Sequence, residues 1–364
     1  SDLREDLPIV PSVWESVVSD GTKKQFAVLK DLLNRADVDE VVCATDAGRE
    51  GELIFRMVYE KTGCTKPVKR LWISSLEESA IREGFRSLKP GTAYDALYRA
   101  ALCRAQADWL VGINGTRLYS RLYGTKLNVG RVMTPTLAML VQREKEIAAF
   151  RVEPFYTMQF SCGFLAQSGR MKTREEAERI RASCHCKKAA VKQIERRQKK
   201  EKPPKLYDLT ALQRDANRIY GYTAQQTLDY AQTLYEKKLA TYPRTDSRFL
   251  THDLRDRLPA LIECVAQVLP FASGLPLAVH TQQVIRDEKV SDHHAIIPTQ
   301  NMTREALAQL PMGERSILTL LAVRLLAATG EPCETDEVTV TLDCGGHDFT
   351  AKGSTVRQMG YRVF

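Results

Sequence analysis

Tyr242 stands in the string Thr241-Tyr242-Pro243-Arg244-Thr245-Asp246-Ser247, with an arginine two residues beyond it. A phenol can attack a phosphodiester and keep the bond energy as a phosphotyrosine ester, so resealing a cut strand would need no nucleotide. With an unperturbed pKa of about 10 the phenol is a poor nucleophile at neutral pH. A neighbouring guanidinium helps twice, by stabilising phenolate and by neutralising charge that grows on the phosphoryl oxygens. The same residues also read as a turn after a helix, with a half-buried aromatic and a local Arg244–Asp246 ion pair.

A second group is Asp46-Ala47-Gly48-Arg49-Glu50-Gly51-Glu52, which begins where the apolar run Val41-Val42-Cys43-Ala44 ends and a helical stretch starts. Carboxylates at such a junction can converge on Mg²⁺, a hard ion that prefers oxygen donors. They equally suit the positive end of a helix dipole, so a metal site and an ordinary helix start both fit. Further on, Ser291-Asp292-His293-His294 sets two imidazoles beside a carboxylate. Adjacent side chains diverge and rarely share an ion, so a structural histidine is the plainer reading there.

Three basic positions complete the candidates. Arg104 and Asp108 lie four residues apart on a helical stretch, the spacing of a surface ion pair. Gly130-Arg131 opens another helical stretch, where backbone N–H groups and a cation suit phosphate. Arg70, in VKRLWIS, could reach a phosphate or pack beside Trp72. The nine cysteines include no CxxC pair, and Cys184-His185-Cys186 lacks the spacing of a zinc knuckle, so buried thiols in a reducing compartment are expected.

The elements that would position these residues can be read from periodicity. Residues 1–92 alternate helix and strand: an amphipathic stretch Lys23 to Leu33, the run from Val41, a helix from Glu50, the run Val68 to Ile73 and a helix from Glu77. Such alternation predicts a parallel sheet with crossover helices and a working site at the strands' carboxyl ends. Residues 93–150 predict two long helices broken at Gly124 and at Asn128 to Gly130. Residues 151–203 read as strands around a short helix from Thr173 to Ala182, and alternation returns in 332–364 at Val338 to Leu342 and Asp348 to Ala351. The intervening 204–331 reads as a mainly helical insertion, in which Thr223 and Gln226 form a capping box ahead of an apolar stripe and a helix ending near Leu239. The class is therefore multidomain: α/β, then α, then β with an α insertion.

Length and composition agree with several folded domains: 364 residues, 43% hydrophobic and 27% charged. No apolar run of membrane-spanning length occurs, and the first residues lack a signal-peptide pattern, so a cytoplasmic protein with no membrane association is expected. The net charge of +8 favours a polyanionic partner. Between Lys187 and Lys205 nine Lys/Arg face two acids, a pattern that fits either a solvated hinge strand or a strap facing phosphates.

Taken together, the motifs resemble the type IA DNA topoisomerases, in particular their topoisomerase III members. ATDAGREGELIF is similar to the family's acidic Asp-x-Asp-x-Glu motif in its TOPRIM domain, with Asp46 and Glu50 as the outer acids and Gly48 in place of the middle one. YPRTDS is similar to the nucleophile motif, and the segment KPPKLYDLTALQRDANRIYGYTAQQTLDYAQTLYE to the family's lead into it. SDHHAIIPT resembles the histidine motif, GRVMTP a groove-helix entry, and CRAQADWLVGIN an Arg-x-x-x-Asp helix.

The resemblance implies a torus of a Rossmann-like TOPRIM domain, a helical base, a β-rich arch and a gate domain bearing the tyrosine. It implies cleavage of one DNA strand through a 5′-phosphotyrosine at Tyr242, helped by Arg244 and His293, passage of another strand, and religation. Asp46 and Glu50 would hold Mg²⁺. Arg70, Arg104 and Arg131 would contact single-stranded DNA, with Asp108 orienting Arg104. A monomer in the bacterial cytoplasm, at the nucleoid and with a helicase partner, is the implied setting. Nothing before Val41 matches the family's Glu-Lys-Pro-Ser strand, so a fragment trimmed at both ends, with impaired activity of its own, is expected. Two rivals share some of these features: another TOPRIM protein such as a primase or nuclease, and a single-strand-binding module without catalysis.

Overall fold

In the computed structural model, which describes residues 7–73, 78–161, 163–272, 274–275 and 277–364, the chain forms two units. The first comprises residues up to Phe150 together with Ser291–His293, and the second Arg151–Val290 with His294–Phe364. Glu77, where the sequence predicts a helix start, lies outside the described residues.

The first unit is built on a β-α-β turn. After α1 (Lys23–Leu33), β1 (Val41–Cys43) leads into α2 (Arg49–Thr62) and back to β2 (Val68–Arg70). β1 and β2 pair in parallel, with Val41 opposite Val68 and Cys43 opposite Arg70. After α3 (Glu78–Arg86), the short β3 (Lys89–Pro90) pairs antiparallel with β2. Only the first pair thus has the parallel arrangement that alternation predicts. Val41, Cys43, Leu53 and Leu71 are buried, so the acid-bearing loop after β1 rests on an apolar floor. Two helices follow, α4 (Asp95–Tyr123) and α5 (Met133–Ala148), separated at the two breaks that the sequence carries.

In the second unit, five strands form an antiparallel sheet in the order β4-β5-β8-β7-β6: β4 (Gln159–Ser161), β5 (Leu165–Ser168), β6 (Ala190–Glu201), β7 (Cys333–Cys344) and β8 (His347–Gln358). Between β5 and β6 lies α6 (Arg174–Cys184), whose N-cap Thr173 accepts a hydrogen bond from the Glu176 amide at 3.2 Å. Strand β6 carries the basic run along the edge of the sheet, and its side chains are exposed along nearly its whole length. Lys192 reaches Asp348 at 2.9 Å and Lys200 reaches Glu334 at 2.9 Å. A lysine-rich edge also discourages pairing with another sheet.

Everything between β6 and β7 is an insertion whose ends meet, because Glu201 pairs with Cys333. It contains α7 (Leu209–Tyr220), α8 (Ala224–Glu236), α9 (Leu258–Val268), α10 (Arg304–Gln309) and α11 (Met312–Ala328). A helix that is apolar all round belongs in a core. In α11 Ile317, Leu318, Leu321, Ala322 and Leu325 have no exposed surface, and they pack with Leu212, Leu234 and Ile262. Among the described residues no helix is long and apolar enough to cross a membrane.

The charge on α11 that interrupts this run, Arg324, is itself paired. It donates to the Tyr207 hydroxyl at 2.8 Å and to the Asp215 carboxylate, and Tyr207 donates to Asp215 at 2.7 Å. Burial alone would raise the Asp215 pKa, but the Tyr207 hydrogen bond and the Arg324 and Arg218 cations outweigh it and hold the carboxyl below its usual range. A carboxyl depressed on folding adds stability above its unfolded pKa of about 3.9, and that stability is lost as pH falls through the folded value. Asp215→Asn is therefore expected to lower stability at pH 7 by about 2 kcal/mol. Part of the acid sensitivity below about pH 4 should vanish with it, as read by denaturant melts from pH 7 to pH 2.

Candidate active site

The acidic loop of the first unit is organised by Arg70, at the end of β2. Its side chain has no exposed surface. Nε donates to Glu52 Oε2 at 2.9 Å, Nη1 to the carbonyls of Cys43, Thr45 and Leu71 at 3.0, 2.7 and 2.8 Å, and Nη2 to the Asp46 carbonyl at 2.6 Å. The sequence-based expectation that Arg70 contacts DNA is corrected here: its donors are spent inside the unit, and a phosphate has no access to them. The guanidinium instead holds the β1–α2 loop from beneath and lies 5.1 Å from the Trp72 ring centre.

Glu52, equally buried, accepts a second arginine, with Arg56 Nε at 3.0 Å. Arg56 also donates to Asp95 at 2.8 Å and to the Gly91 carbonyl at 2.7 Å. Burial works against the Arg56 cation, but its hydrogen bonds to Asp95 and Glu52 prevail and leave its pKa raised. Sequence reasoning missed this support: Glu52 belongs to the acidic string, yet it is a structural counter-ion, and only its position three residues into a helix hinted that it faces inward.

The loop turns tightly. A Cβ at Gly51 would lie 2.1 Å from the Asp46 carbonyl oxygen, so only glycine fits there. Thr45 Oγ1 ties down the other side by donating to the Gly51 carbonyl at 2.8 Å. With its main chain held, Asp46 presents a side chain that is 64% exposed. His293 Nε2 stands 3.7 Å from Asp46 Oδ1, within the same unit. The structure therefore brings together Asp46 and His293, which lie far apart in sequence.

Glu50 forms an ion pair with Arg104 of α4. Asp108, one turn further along α4, accepts from Arg131 Nε at 3.2 Å, at the entry to α5. The expected pairing of Asp108 with Arg104 is thus replaced by two longer-range pairs. Helical spacing permits the local contact, but Glu50 and Arg131 offer each partner an opposite charge from a neighbouring element. Arg104 and Arg131 remain 35% and 48% exposed at their side chains, so both stay accessible to a polyanion.

In the second unit, the tyrosine follows α8. The capping box is complete: Thr223 Oγ1 accepts from the Gln226 amide at 3.1 Å, and the Gln226 side chain accepts from the Thr223 amide at 2.9 Å. After α8, Thr241 N donates to the Ile297 carbonyl at 2.9 Å and Thr241 Oγ1 accepts from the Ile297 amide at 2.9 Å. The tyrosine loop is in this way stitched to the AIIPT half of the histidine motif. His294 is buried, with Nδ1 2.8 Å from the Ala295 carbonyl. Tyr242 packs edge-on against Tyr235, ring centres 5.3 Å apart. Beyond it Pro243, Thr245 and Ser247 are buried while Arg244 and Asp246 are exposed, the alternation of an extended segment that turns its charges outward.

Among the described residues no three His, Cys, Asp or Glu side chains converge as a ready-made metal cage. Mg²⁺ asks for less, since it keeps several waters and takes one or two carboxylates besides phosphate oxygens. Asp46 and Glu50 carry exposed carboxylates, the kind of oxygen donor that such an ion takes.

A family model described as DNA topoisomerase matches residues 92–364. DNA topoisomerase 3 of Bacillus subtilis (strain 168) is 43% identical over 373 residues, covering 99% of this chain and 51% of that protein. DNA topoisomerase 3 of Bacillus licheniformis is 43% identical over 377 residues with the same coverage, and that of Bacillus cereus (strain ATCC 10987) 40% over 372. The chain thus spans about half the length of these curated relatives. Full-length topoisomerase I from Thermotoga maritima shares the fold with a TM-score of 0.74 at 24% identity, over 99% of this chain and 60% of that one. On this likeness of sequence along almost its entire length, the chain belongs to the DNA topoisomerase family, in the type IA group and on the topoisomerase III side of it.

Proposed function

We propose that the protein changes DNA topology by cutting and rejoining one strand through Tyr242. The observation that carries this reading is the tyrosine loop. An anchored Thr241 and a buried Pro243 hold Tyr242 in place while Arg244 stays exposed two residues on, in a chain 43% identical to a DNA topoisomerase 3.

The chemistry balances without a nucleotide. Tyr242 Oη attacks the phosphorus, a Tyr–O–P ester forms at the 5′ side, the P–O3′ bond breaks, and the departing 3′-oxygen takes a proton. Rejoining runs the same exchange backwards. Arg244 stabilises the phenolate and the charge on the equatorial oxygens. His293 serves as the proton carrier at the scissile phosphate. Asp46 and Glu50 would hold Mg²⁺, whose bound charge would offset that of the phosphate. Arg104 and Arg131 bind the single strand, with Asp108 setting the Arg131 side chain. In the family's scheme residues 1–92 correspond to the TOPRIM domain and 93–150 to the helical base. Residues 151–203 and 332–364 correspond to the arch, and 204–331 to the gate. We extend the reading to a cytoplasmic monomer at the nucleoid, fed with single strands by a helicase.

Incubated with end-labelled single-stranded DNA and quenched with denaturant, the protein should give a protein-linked band that Tyr242→Phe abolishes. Arg244→Ala should reduce cleavage by about 10² to 10³-fold. A band that survives Tyr242→Phe sinks the assignment of the nucleophile, and binding without any band in the full-length protein favours a binding module.

Salt dependence separates the arginines. Losing one phosphate contact should lower the slope of log affinity against log salt by about 0.7 for a single strand. Arg131→Ala and Arg104→Ala should each show this loss. Arg70→Lys should leave the slope unchanged and instead lower the melting temperature, because a lysine cannot serve Glu52 and the loop carbonyls together.

A further inference from the structure

Cys184-His185-Cys186, at the end of α6, takes no part in the proposed chemistry of Tyr242. There the chain turns back: the Lys187 amide donates to the Cys184 carbonyl at 3.1 Å, and Cys186 takes the left-handed φ of 58° that the third residue of such a turn needs. The turn sits against the β7–β8 hairpin, Cys344-Gly345-Gly346-His347, within the same unit. The approach is close, for a Cβ at Gly345 would lie 2.5 Å from the Ser183 carbonyl oxygen. Across this contact the Cys184 thiol donates to the Cys344 carbonyl at 3.0 Å. The Cys344 thiol in return faces the carbonyls of Cys184 and Lys187 at 3.8 and 3.9 Å. Cys344 is buried with Leu342 and Phe349, and the half-buried Cys184 packs on the same cluster. Burial and hydrogen bonding to the Cys184 thiol push the Cys344 thiol up, so it rests protonated. Among the described residues no third metal-ligating side chain joins the two into a metal site, which leaves them the chemistry of a dithiol.

We propose that Cys184 and Cys344 are a modification site, a dithiol that a small disulfide such as glutathione disulfide converts to an intramolecular disulfide fastening α6 to the β7–β8 turn. Because each sulfur already touches the other residue's main chain, the side chains need only rotate to meet, with no movement of the backbone. Cys184, the more exposed of the two, reacts first. Its thiolate attacks one sulfur of the small disulfide, the S–S bond there breaks, and one glutathione leaves with the proton that Cys184 gave up. The Cys344 thiolate then attacks the Cys184 sulfur, the protein disulfide forms, and the second glutathione leaves with the Cys344 proton. Two protein thiols are oxidised and one small disulfide is reduced to two thiols, so the exchange needs no other reactant. The residues joined are 160 positions apart, on either side of β6 and the whole helical insertion. A link across so long a loop restricts the unfolded chain strongly.

The test treats the reduced protein with excess glutathione disulfide at about pH 8, where thiolate is available. Remaining thiols are alkylated under denaturing conditions, and the chain is digested without reductant for mass spectrometry. A peptide joining Cys184 to Cys344 should appear, should persist in Cys186→Ser, and should be missing from Cys184→Ser and Cys344→Ser. The oxidised parent should melt about 5 °C above the reduced protein, a gain that dithiothreitol reverses and that Cys184→Ser lacks. A link from Cys186 to either residue instead overturns the proposal. So does a chain in which Cys184 keeps glutathione while Cys344 is alkylated, or one in which both are alkylated. Should Cys344→Ser fail to fold, the parent and Cys186→Ser still decide, because the joined peptide is read in both.

Discussion

Burying a guanidinium costs several kcal/mol unless its charge and its donors are all matched, and the acidic loop is arranged around one such group. Glu52 neutralises Arg70, and the carbonyls of Cys43, Thr45, Asp46 and Leu71 replace its water. Because those carbonyls turn inward to reach it, the Asp46 carboxylate is left facing outward. A single buried cation thus decides which side of the loop is backbone and which side is acid. The effect reaches further, since Glu52 also holds Arg56, and Arg56 grips Asp95 at the start of α4. The helix that carries Arg104 and Asp108 is anchored to the same buried carboxylate.

The tyrosine of the second unit is held by different means. Thr241 exchanges backbone and hydroxyl hydrogen bonds with Ala295 and Ile297, and hydrophobic packing of Leu234 and Leu239 seats the end of α8. Neutral hydrogen bonds contribute about 1 kcal/mol each, so several small terms position Tyr242 where a few large ones position Asp46. These bonds tie down the backbone of the loop and leave the Arg244 and Asp246 side chains exposed.

Local signals were legible in the sequence and distant ones were not. The capping box at Thr223 and Gln226 closes both of its hydrogen bonds, the breaks at Gly124 and Asn128 to Gly130 separate α4 from α5, and the alternation from Val338 to Leu342 lies within β7. Each depends on residues within a few positions of one another. Arg70 was misread because β2 is three residues long, too short for alternation to tell an inward arginine from an outward one. Asp108 went to Arg131 although helical spacing favoured Arg104, because ion pairs at a surface go to whichever opposite charge the fold brings near. The proximity of Asp292 to Gly48, where a Cβ would lie 2.8 Å from the carboxylate, left no trace at either site, since an extended glycine has no backbone signature and its reason lies far along the chain.

The charges of the first unit fall into two classes with different consequences. Arg70 and Glu52 lie fully inside, so breaking that pair strands a charge and costs about 3 to 5 kcal/mol. Glu50–Arg104 and Arg131–Asp108 are partly exposed, where a pair is worth about 1 kcal/mol or less and can be exchanged for another partner. On the proposed function this difference couples two events. A cation that draws Glu50 away releases Arg104, and a phosphate that draws Arg104 away releases Glu50. Cation and DNA then favour each other's binding by equal factors, as linkage requires. The coupling needs no movement of the backbone, only a weak pair whose two halves have different better partners.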